Sequence, residues 1–287
     1  MYKRILVPLD GSKLSESVLP YARFFASGLQ LPIDLLHVND PEMRGIATQG
    51  TDYLTGVAAS FSNSAVDCFI ENGRAAEVII DRASKNPGTL ITMATHGRSG
   101  APRWLLGSVA QKVLQAVKSP LLLIRAKKET RPGEEVAIGN VIVPLDGSHL
   151  AESIFPHVRY LAGHLNLEVV LIRSYIVPTT GYFVGTGLLP PAIGELANKI
   201  KQEITEYLQG KVEQLRAEGI DRVSCLALEG SGPGEIIDLA QKTSDNIVAM
   251  STHGRSGMGR WVLGSVTDRV VAYCGDPVLV IRPNHRE

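Results

Sequence analysis

Two stretches of fourteen residues carry glycines and polar side chains suited to hold an anion. In THGRSGAPRWLLGS (95–108), nine residues separate Gly97 from Gly107, and Ser108 follows directly; THGRSGMGRWVLGS (252–265) repeats the pattern. A glycine lets a ligand approach the backbone closely, and the free N–H groups at a helix start attract phosphate. Since a helical run follows each serine, the pattern predicts a phosphate-binding turn in both stretches.

An acidic turn follows the first strand-like run of each half of the chain. The tripeptide Asp-Gly-Ser begins at Asp10 and again at Asp146, while His96 and Arg98 follow the fourth run of half one. In an open parallel sheet, ligands bind beyond the carboxyl ends of the strands. We therefore expect the acidic turn and the glycine pair to meet at one edge of the sheet, with Arg98 available to neutralise phosphate.

Each of these signals also has a purely structural interpretation. Gly-Ser before a helix is commonly an N-cap, and Asp-Gly-Ser after a strand is a common turn. Taken singly, each structural interpretation is favoured by roughly two to one. Their joint recurrence at the same end of the predicted sheet in both halves favours binding.

Catalytic and metal chemistry find less support. Asp10, Ser12 and His96 could be imagined as a triad, but GxSxG is absent, as are GxxxxGK[ST] and GxGxxG. Three cysteines without a CxxC pair predict neither a metal site nor a disulfide framework. Cys68 and Cys225 recur at matching strand positions, which predicts buried packing. We expect no catalytic residue and no protein-built metal site.

Composition and charge narrow the function classes. Hydrophobic residues make up 44% and charged residues 20%, and the 29 basic residues balance the 29 acidic ones. Such a chain has no net field to steer it toward nucleic acid or an anionic membrane. The N-terminus enters a strand-like run directly, and no run approaches the roughly 20 apolar residues of a membrane helix. These features predict a cytoplasmic protein without nucleic-acid or membrane partners.

The chain is an internal repeat. ILVPLDGS returns as VIVPLDGS, ESVLPYARFFA as ESIFPHVRYLA, and SPLLLIR as DPVLVIR. The charged stretch between the copies contains Pro-Gly, which is typical of a linker. We predict domain one at residues 1–126 (half one), a linker at 127–137 and domain two at 138–287 (half two).

Alternation of short apolar runs with helical stretches predicts the fold. Parallel strands need crossover connections, so the runs ILVPL, IDLLHV, VDCFI, LITMA and LLLIR predict a parallel sheet. The fold class is α/β, with two tandem doubly wound domains, each a five-stranded parallel sheet flanked by helices. Half two is longer between its second and third strands, where residues 195–218 have the pattern of a long amphipathic helix. Half one has at best a short helix there.

At these residues the chain resembles the universal stress protein family, over nearly its whole length, as two tandem Rossmann-like domains. The nucleotide-binding members carry Gly-x-x-Gly, nine residues, and Gly-Ser/Thr. Ala94 and Ser251 replace the first glycine of that motif here; both are small, so a close approach survives where the position does not need a positive φ. Ser174 of half two stands where half one has Val38, the residue that the resemblance places against adenine.

The resemblance implies a nucleotide-binding set in each half. In half one the set is Leu9, Asp10, Val38, Met93, Ala94, His96, Gly97, Arg98, Gly107, Ser108 and Val109. In half two it is Leu145, Asp146, Ser174, Met250, Ser251, His253, Gly254, Arg255, Gly264, Ser265 and Val266. The implied ligand is ATP, with Mg²⁺ carried by its phosphates, and the acidic residues reach the ribose or adenine.

Three functions follow for comparison. The first is an ATP-binding sensor or regulator of the cellular stress response with at most slow hydrolysis. The second is an interaction scaffold that binds no nucleotide, and the third is an enzyme acting on a nucleotide-activated substrate. The missing base and metal ligands count against the third.

The resemblance also bears on assembly. Family members dimerise through the last strand of the sheet. In a tandem chain, LLLIRA (121–126) and VLVIRP (278–283) are expected to pair within one molecule, which removes two aggregation-prone edges. The resemblance does not decide whether two whole chains form a homodimer.

Limited proteolysis tests the domain boundaries. We predict that the first cleavages fall within 127–137 or within the Gly- and Pro-rich stretch 178–191, because exposed linkers are cut before packed elements. Mass spectrometry of the early fragments measures this. First cleavage inside 121–126 would contradict the two-domain organisation.

Overall fold

The computed structural model describes residues 1–41, 50–61, 64–96, 106–125, 135–177, 191–252 and 264–283. The predicted linker falls largely outside these ranges, as do Gly97, Arg98, His253, Gly254 and Arg255. Within them, strands and helices alternate in both halves as the sequence predicts.

Half one contains five strands and five helices in its described part. In chain order they are β1 (Arg4–Pro8), α1 (Lys13–Glu16), α2 (Leu19–Leu29), β2 (Ile33–Asn39), α3 (Gly50–Ala58), β3 (Val66–Asn72), α4 (Ala75–Lys85), β4 (Thr89–Ala94), α5 (Ser108–Ala116) and β5 (Leu121–Ile124).

Half two repeats this order. Its elements are β6 (Asn140–Pro144), α6 (His149–Glu152), α7 (Phe155–Leu165), β7 (Glu168–Tyr175), α8 (Pro191–Ala217), β8 (Val223–Glu229), α9 (Gly232–Lys242), β9 (Asn246–Ser251), α10 (Ser265–Tyr273) and β10 (Val278–Ile281).

The strands form a single ten-stranded sheet in the order β3-β2-β1-β4-β5-β10-β9-β6-β7-β8. Neighbouring strands within each half are parallel, which confirms the predicted fold class. At the centre, β5 and β10 pair antiparallel, with Leu122 opposite Leu279. The two halves therefore meet edge to edge, and the carboxyl ends of their parallel strands point toward opposite ends of the sheet.

Each face of the sheet carries one apolar core that runs through both halves. On one face, Phe25 of α2 and Val158 of α7 belong to the same buried cluster. On the other, Val113 of α5 and Val270 of α10 do so. Both clusters include residues of β5 and β10, so the cores continue across the seam between the halves.

Local signals set the helix ends in the same way in both halves. The Ser12 hydroxyl accepts the Ser15 N–H at 3.1 Å and caps α1, and Ser148 caps α6 likewise. Helices α2 and α7 have a proline in the first turn and end in left-handed residues, Gln30 and Asn166. The left-handed residues end these helices, and β2 and β7 begin within a few residues.

The connection between the second and third strands differs between the halves. Helix α3 has nine residues and α8 has 27, which confirms the predicted short helix in half one and long helix in half two. Helix α8 begins at Pro191, four residues before the predicted start. In the part of the chain that the structure describes, no helix is both long and apolar enough to cross a membrane.

The expectation of buried cysteines is wrong for Cys68, which is exposed, while Cys225 is half-buried. Both lie on strands at the outer edges of the sheet, β3 and β8. An edge strand has a neighbour on one side only and incomplete helix cover, so an apolar pattern there does not ensure burial.

An aromatic cluster joins the N-terminus of half one to α7 of half two. The Tyr2 hydroxyl lies 2.8 Å from His157 Nδ1, and its ring packs edge-on against Tyr160 at 5.3 Å between centroids. Tyr160 in turn contacts the ring of His164 at 4.2 Å. Burial, and next the charge of the chain N-terminus, lower the pKa of His157 to about 4.

This cluster predicts a pH-dependent stability. The unfolded chain binds a proton at His157 near pH 6.5, and the folded chain does so only near pH 4. The contribution of the neutral, buried imidazole to the free energy of unfolding is therefore complete above pH 6.5 and is lost as the pH falls toward 4. The loss is at most about 3 kcal/mol. Urea unfolding at pH 7.5 and 5 should show a smaller difference for His157→Gln than for the unchanged protein.

The matched control is His149→Gln, because the His149 side chain on α6 is fully exposed. It should leave the pH difference unchanged. Equal pH differences in the unchanged protein and His157→Gln would contradict the assignment.

Candidate functional site

A cavity of about 100 Å³ lies beyond the carboxyl ends of β1, β2 and β4, between α4 and α5. It brings together the described members of the half-one set, from the acidic turn to the start of α5. Its walls are formed by Pro8, Leu9, Asp10, Ser15, Leu36, Val38, Asp40, Ala75, Ile79, Met93, Ala94, Thr95, His96, Gly107, Ser108, Val109 and Ala110.

Half two has a matching cavity of about 300 Å³. It brings together the described members of the half-two set. Its walls are formed by Pro144, Leu145, Asp146, Ala151, Ile172, Ser174, Gly232, Glu235, Ile236, Met250, Ser251, Thr252, Gly264, Ser265, Val266 and Thr267.

The acidic turn is fixed by its own hydrogen bonds. Asp10 Oδ1 accepts the Ser12 N–H at 2.9 Å and the Ser12 hydroxyl at 2.6 Å, and Asp146 holds Ser148 at the same distances. The glycine between them has φ of 82° in half one and 85° in half two, a left-handed conformation that favours glycine. The carboxylate is thereby held in one orientation just beyond the carboxyl end of the first strand of each half.

The turn before α5 shows why Gly107 is a glycine. Its N–H donates to the Thr95 carbonyl at 2.8 Å, and a Cβ built on Gly107 would lie 3.0 Å from that oxygen. At Gly264 the corresponding distance to the Thr252 oxygen is 2.6 Å. The glycines let the protein's own strand end and helix start approach each other, a reason that the sequence interpretation, based on ligand approach, missed.

The starts of α5 and α10 are open to their cavities. The N-cap residues, Gly107 and Gly264, have no side chain with which to cap the helix. Since the first N–H groups of a helix have no partner within the helix, those of α5 and α10 are donors available to an anion. Ser108 and Ser265 place a hydroxyl beside them.

Ala94 and Ser251 do not need glycine. Each is the last residue of a buried strand, β4 or β9, and neither has a positive φ. A close approach of the backbone to a ligand required that these positions not need a positive φ, and both positions meet that condition. In half two, the Thr267 hydroxyl donates to the Ser251 carbonyl at 3.0 Å and ties α10 to that strand end.

His96 lies where β4 leaves the sheet. Its Nδ1 is 3.0 Å from the Thr95 hydroxyl, and its Nε2 is buried without a hydrogen-bond partner. The Ser12 hydroxyl donates to Asp10 and its oxygen caps α1, so Asp10, Ser12 and His96 do not form a nucleophile–base pair. The geometry suits binding through donors and acceptors.

Asp40 is a lining residue that the sequence interpretation missed. Its Oδ2 accepts the Ala75 N–H at 2.8 Å, so it caps α4 from the end of the neighbouring strand. The available signal was an acidic residue two positions after Val38, at the end of the second strand. In half two the matching residue is Ile176, which is 68% exposed.

Two lining positions carry residues of different size in the two cavities. Half one has Val38 and Ala75, whereas half two has Ser174 and Gly232 at the matching positions. A Cβ built on Gly232 would lie 3.3 Å from the Ser174 hydroxyl oxygen, so the missing side chain leaves space beside that hydroxyl. The smaller residues contribute to the larger volume of the half-two cavity.

The third helix of each half is tied to the acidic turn. In half one, His37 Nδ1 lies 2.9 Å from the Leu9 carbonyl and its ring contacts Tyr53. In half two, the Arg173 guanidinium lies 5.0 Å from the ring centroid of Tyr207 and fills the space beside Gly147.

Hydrogen bonds extend this link into α6. The Tyr207 hydroxyl donates to Glu152 at 2.7 Å, and Lys211 donates to the same carboxylate at 2.8 Å. Burial, and then Glu152, raise the pKa of Tyr207, which keeps the phenol a donor. Among the described residues, no group of three or more His, Cys, Asp or Glu side chains is arranged to hold a metal ion.

Comparison with known proteins gives consistent relatives. The profile of the universal stress protein family matches residues 1–125 and 137–282. Universal stress protein MJ0531 of Methanocaldococcus jannaschii is 29% identical over 147 residues, covering 51% of this chain and 84% of that protein. A universal stress protein of Mycolicibacterium smegmatis is 24% identical and is covered, like this chain, over 97% of its length.

A solved structure extends the likeness to the whole fold. The crystal structure of a universal stress protein from Archaeoglobus fulgidus superposes with a TM-score of 0.68 at 19% identity, covering 98% of each chain. At this identity the likeness concerns the fold.

Proposed function

The chain belongs to the universal stress protein family, and we propose that it binds an adenine nucleotide, ATP, in each half and acts as a sensor or regulator in the stress response. One observation carries the proposal. In both halves a fixed carboxylate, several apolar side chains and the start of a helix line a single cavity.

The phosphates would lie at the helix starts. The N–H groups of Ser108 and Val109 in half one, and of Ser265 and Val266 in half two, supply donors, and the helix macrodipole favours negative charge there. Arg98 and Arg255, together with Gly97, His253 and Gly254, lie outside the described residues and remain predictions from the sequence.

The nucleoside would occupy the rest of each cavity. Asp10 and Asp146, held at the sheet edge, would accept hydrogen bonds from the ribose. The family resemblance places Val38 against adenine, and Leu9 and Met93 line the same cavity, so half one offers the base an apolar surface.

Hydrolysis would be slow at most. The hydroxyl of Ser12 is committed to Asp10, and His96 pairs with Thr95 through Nδ1 while its Nε2 is buried, so neither side chain is placed to activate a solvent water. Mg²⁺, if required, would enter with the phosphates.

A scaffold that binds no nucleotide is the second candidate, and two features favour it. The Gly107 contact with Thr95 and the self-contained Asp10 turn each give the motif a structural role. Nucleotide retained by the purified protein, read by absorbance and chromatography, together with calorimetry with ATP, separates the two functions. A purified protein that retains no nucleotide and gives no heat of ATP binding would leave the scaffold as the remaining function.

Removing a backbone donor at the phosphate position tests the site. Ser108→Pro deletes the first N–H of α5, yet proline suits the first helical position and the preceding Gly107 is already extended, with φ −60° and ψ 148°. Loss of a hydrogen bond to a charged phosphate costs about 2 kcal/mol, or roughly thirtyfold in affinity for ATP in half one. Calorimetry measures it in a chain whose half-two cavity is closed by Ser174→Trp.

Ser108→Ala, which keeps the N–H and removes only the hydroxyl, is the matched control. Ser265→Pro, with half one closed by Val38→Trp, repeats the test in half two. Thermal unfolding checks that each variant is folded. An unchanged affinity in Ser108→Pro would move the phosphates away from α5.

The difference between Val38 and Ser174 predicts that half one binds ATP more tightly. An apolar contact under adenine is worth about 1 kcal/mol, or several-fold in affinity. The reciprocal exchange should reverse the order: Val38→Ser weakens half one, and Ser174→Val strengthens half two. Calorimetry on chains with the opposite cavity closed measures both, and a tighter half-two site in the unchanged protein would contradict the prediction.

A further inference from the structure

Two arginines reach across the seam between the halves. Arg125, directly after β5, donates from Nη1 to the Ala272 carbonyl at 2.5 Å, with the Cys274 carbonyl at 3.5 Å. Arg282, directly after β10, donates from Nη2 to the Gln115 carbonyl. The contacts are reciprocal: each half supplies one arginine and receives one.

The acceptors identify what the arginines hold. Gln115 lies in the last turn of α5, and Ala272 lies in the last turn of α10. The last carbonyls of a helix have no partner within the helix, and a cation there complements the macrodipole. Each arginine therefore fixes the far end of a helix whose first turn lines a candidate nucleotide site.

Backbone hydrogen bonds connect each arginine to the site of its own half. The Thr252 N–H donates to the carbonyl of Ile281, the residue before Arg282, at 2.8 Å. The Thr252 carbonyl in turn accepts the Gly264 N–H, at the start of α10, at 2.9 Å. In half one, Thr95 bridges Ile124 and Gly107 in the same way, with both distances 2.8 Å.

The two sites are thus joined by a closed series of contacts. From the start of α10 it runs through Thr252 and Ile281 to Arg282, and through α5 to Ser108. From the start of α5 it runs through Thr95 and Ile124 to Arg125, and back along α10. Each of these nine-residue helices is about 13 Å long, and a rigid helix can carry a displacement from one of its ends to the other.

We propose that Arg125 and Arg282 are positioning residues that hold the phosphate-binding helix of the opposite half, so that each site is complete only with the other half in place and the two sites are coupled. This inference rests on the proposed function. It assigns to the arginines a crossed effect, in which each acts on the site of the half to which it does not belong.

A role confined to holding the seam together gives a different result. Loss of either arginine would then lower stability and affect both sites alike. The crossed pattern of affinities separates positioning from general support, because Arg282 acts on α5 and Arg125 acts on α10.

Calorimetry with ATP on the full chain tests the proposal, with one cavity closed at a time by Ser174→Trp or Val38→Trp. Arg282→Met should weaken half one three- to tenfold and leave half two within twofold, and Arg125→Met should do the reverse. Arg282→Lys, which keeps a cation able to reach the carbonyl, should restore part of the affinity. Arg222→Met is the matched control, because Arg222 also donates to a backbone carbonyl, that of Asn166, away from both sites.

Coupling is measured in chains with both cavities open. Filling one site should change the affinity of the other by a factor that is equal in both directions, and that factor should approach one in Arg125→Met/Arg282→Met. Equal weakening of both sites by either single variant, or unchanged affinities in folded variants, would overturn the proposal while leaving nucleotide binding in place. Failure of the unchanged protein to bind ATP would overturn the proposed function and this inference with it.

Discussion

The antiparallel pairing of β5 with β10 is the contact on which the rest of the structure depends. These four-residue strands are entirely buried, and both apolar cores pass through them. Without the pairing, each half would end in an apolar strand with unpaired N–H and C=O groups, the kind of edge that proteins avoid exposing. The pairing converts two marginal edges into the centre of one sheet.

The location of the sites follows from the winding of each half. Strands β1 and β4 are neighbours, but the chain leaves β1 for helices on one face and leaves β4 for a helix on the other. The reversal opens a crevice at the sheet edge, and ligands of such sheets bind there. Asp10 and Ser108, nearly a hundred residues apart, line one cavity for this reason.

The sequence predicts the fold well because its signals are local and repeated. Buried parallel strands read as continuous apolar runs, and the Asp-Gly-Ser turn requires a glycine that the sequence shows directly. The contribution of Asp40 and Gly232 to the site depends on which strand end faces which helix, a relation set by tertiary packing. The exposure of Cys68 likewise depends on the order of the strands in the sheet. The need for glycine at position 107 depends on a close backbone approach, which no side-chain pattern records.

Joining the halves in one chain changes what evolution can vary. In an assembly of two identical subunits, each substitution appears on both sides of the symmetry axis and must suit both. Here a substitution can occur in one half alone. His37 and the nine-residue α3 of half one correspond in position to Arg173 and the 27-residue α8 of half two. The contacts between the halves have a twofold pattern in Arg125 and Arg282, whereas the two candidate cavities differ in their lining residues. Covalent linkage thus allows a substitution to alter one candidate site without altering the other site or the interface that the two halves share.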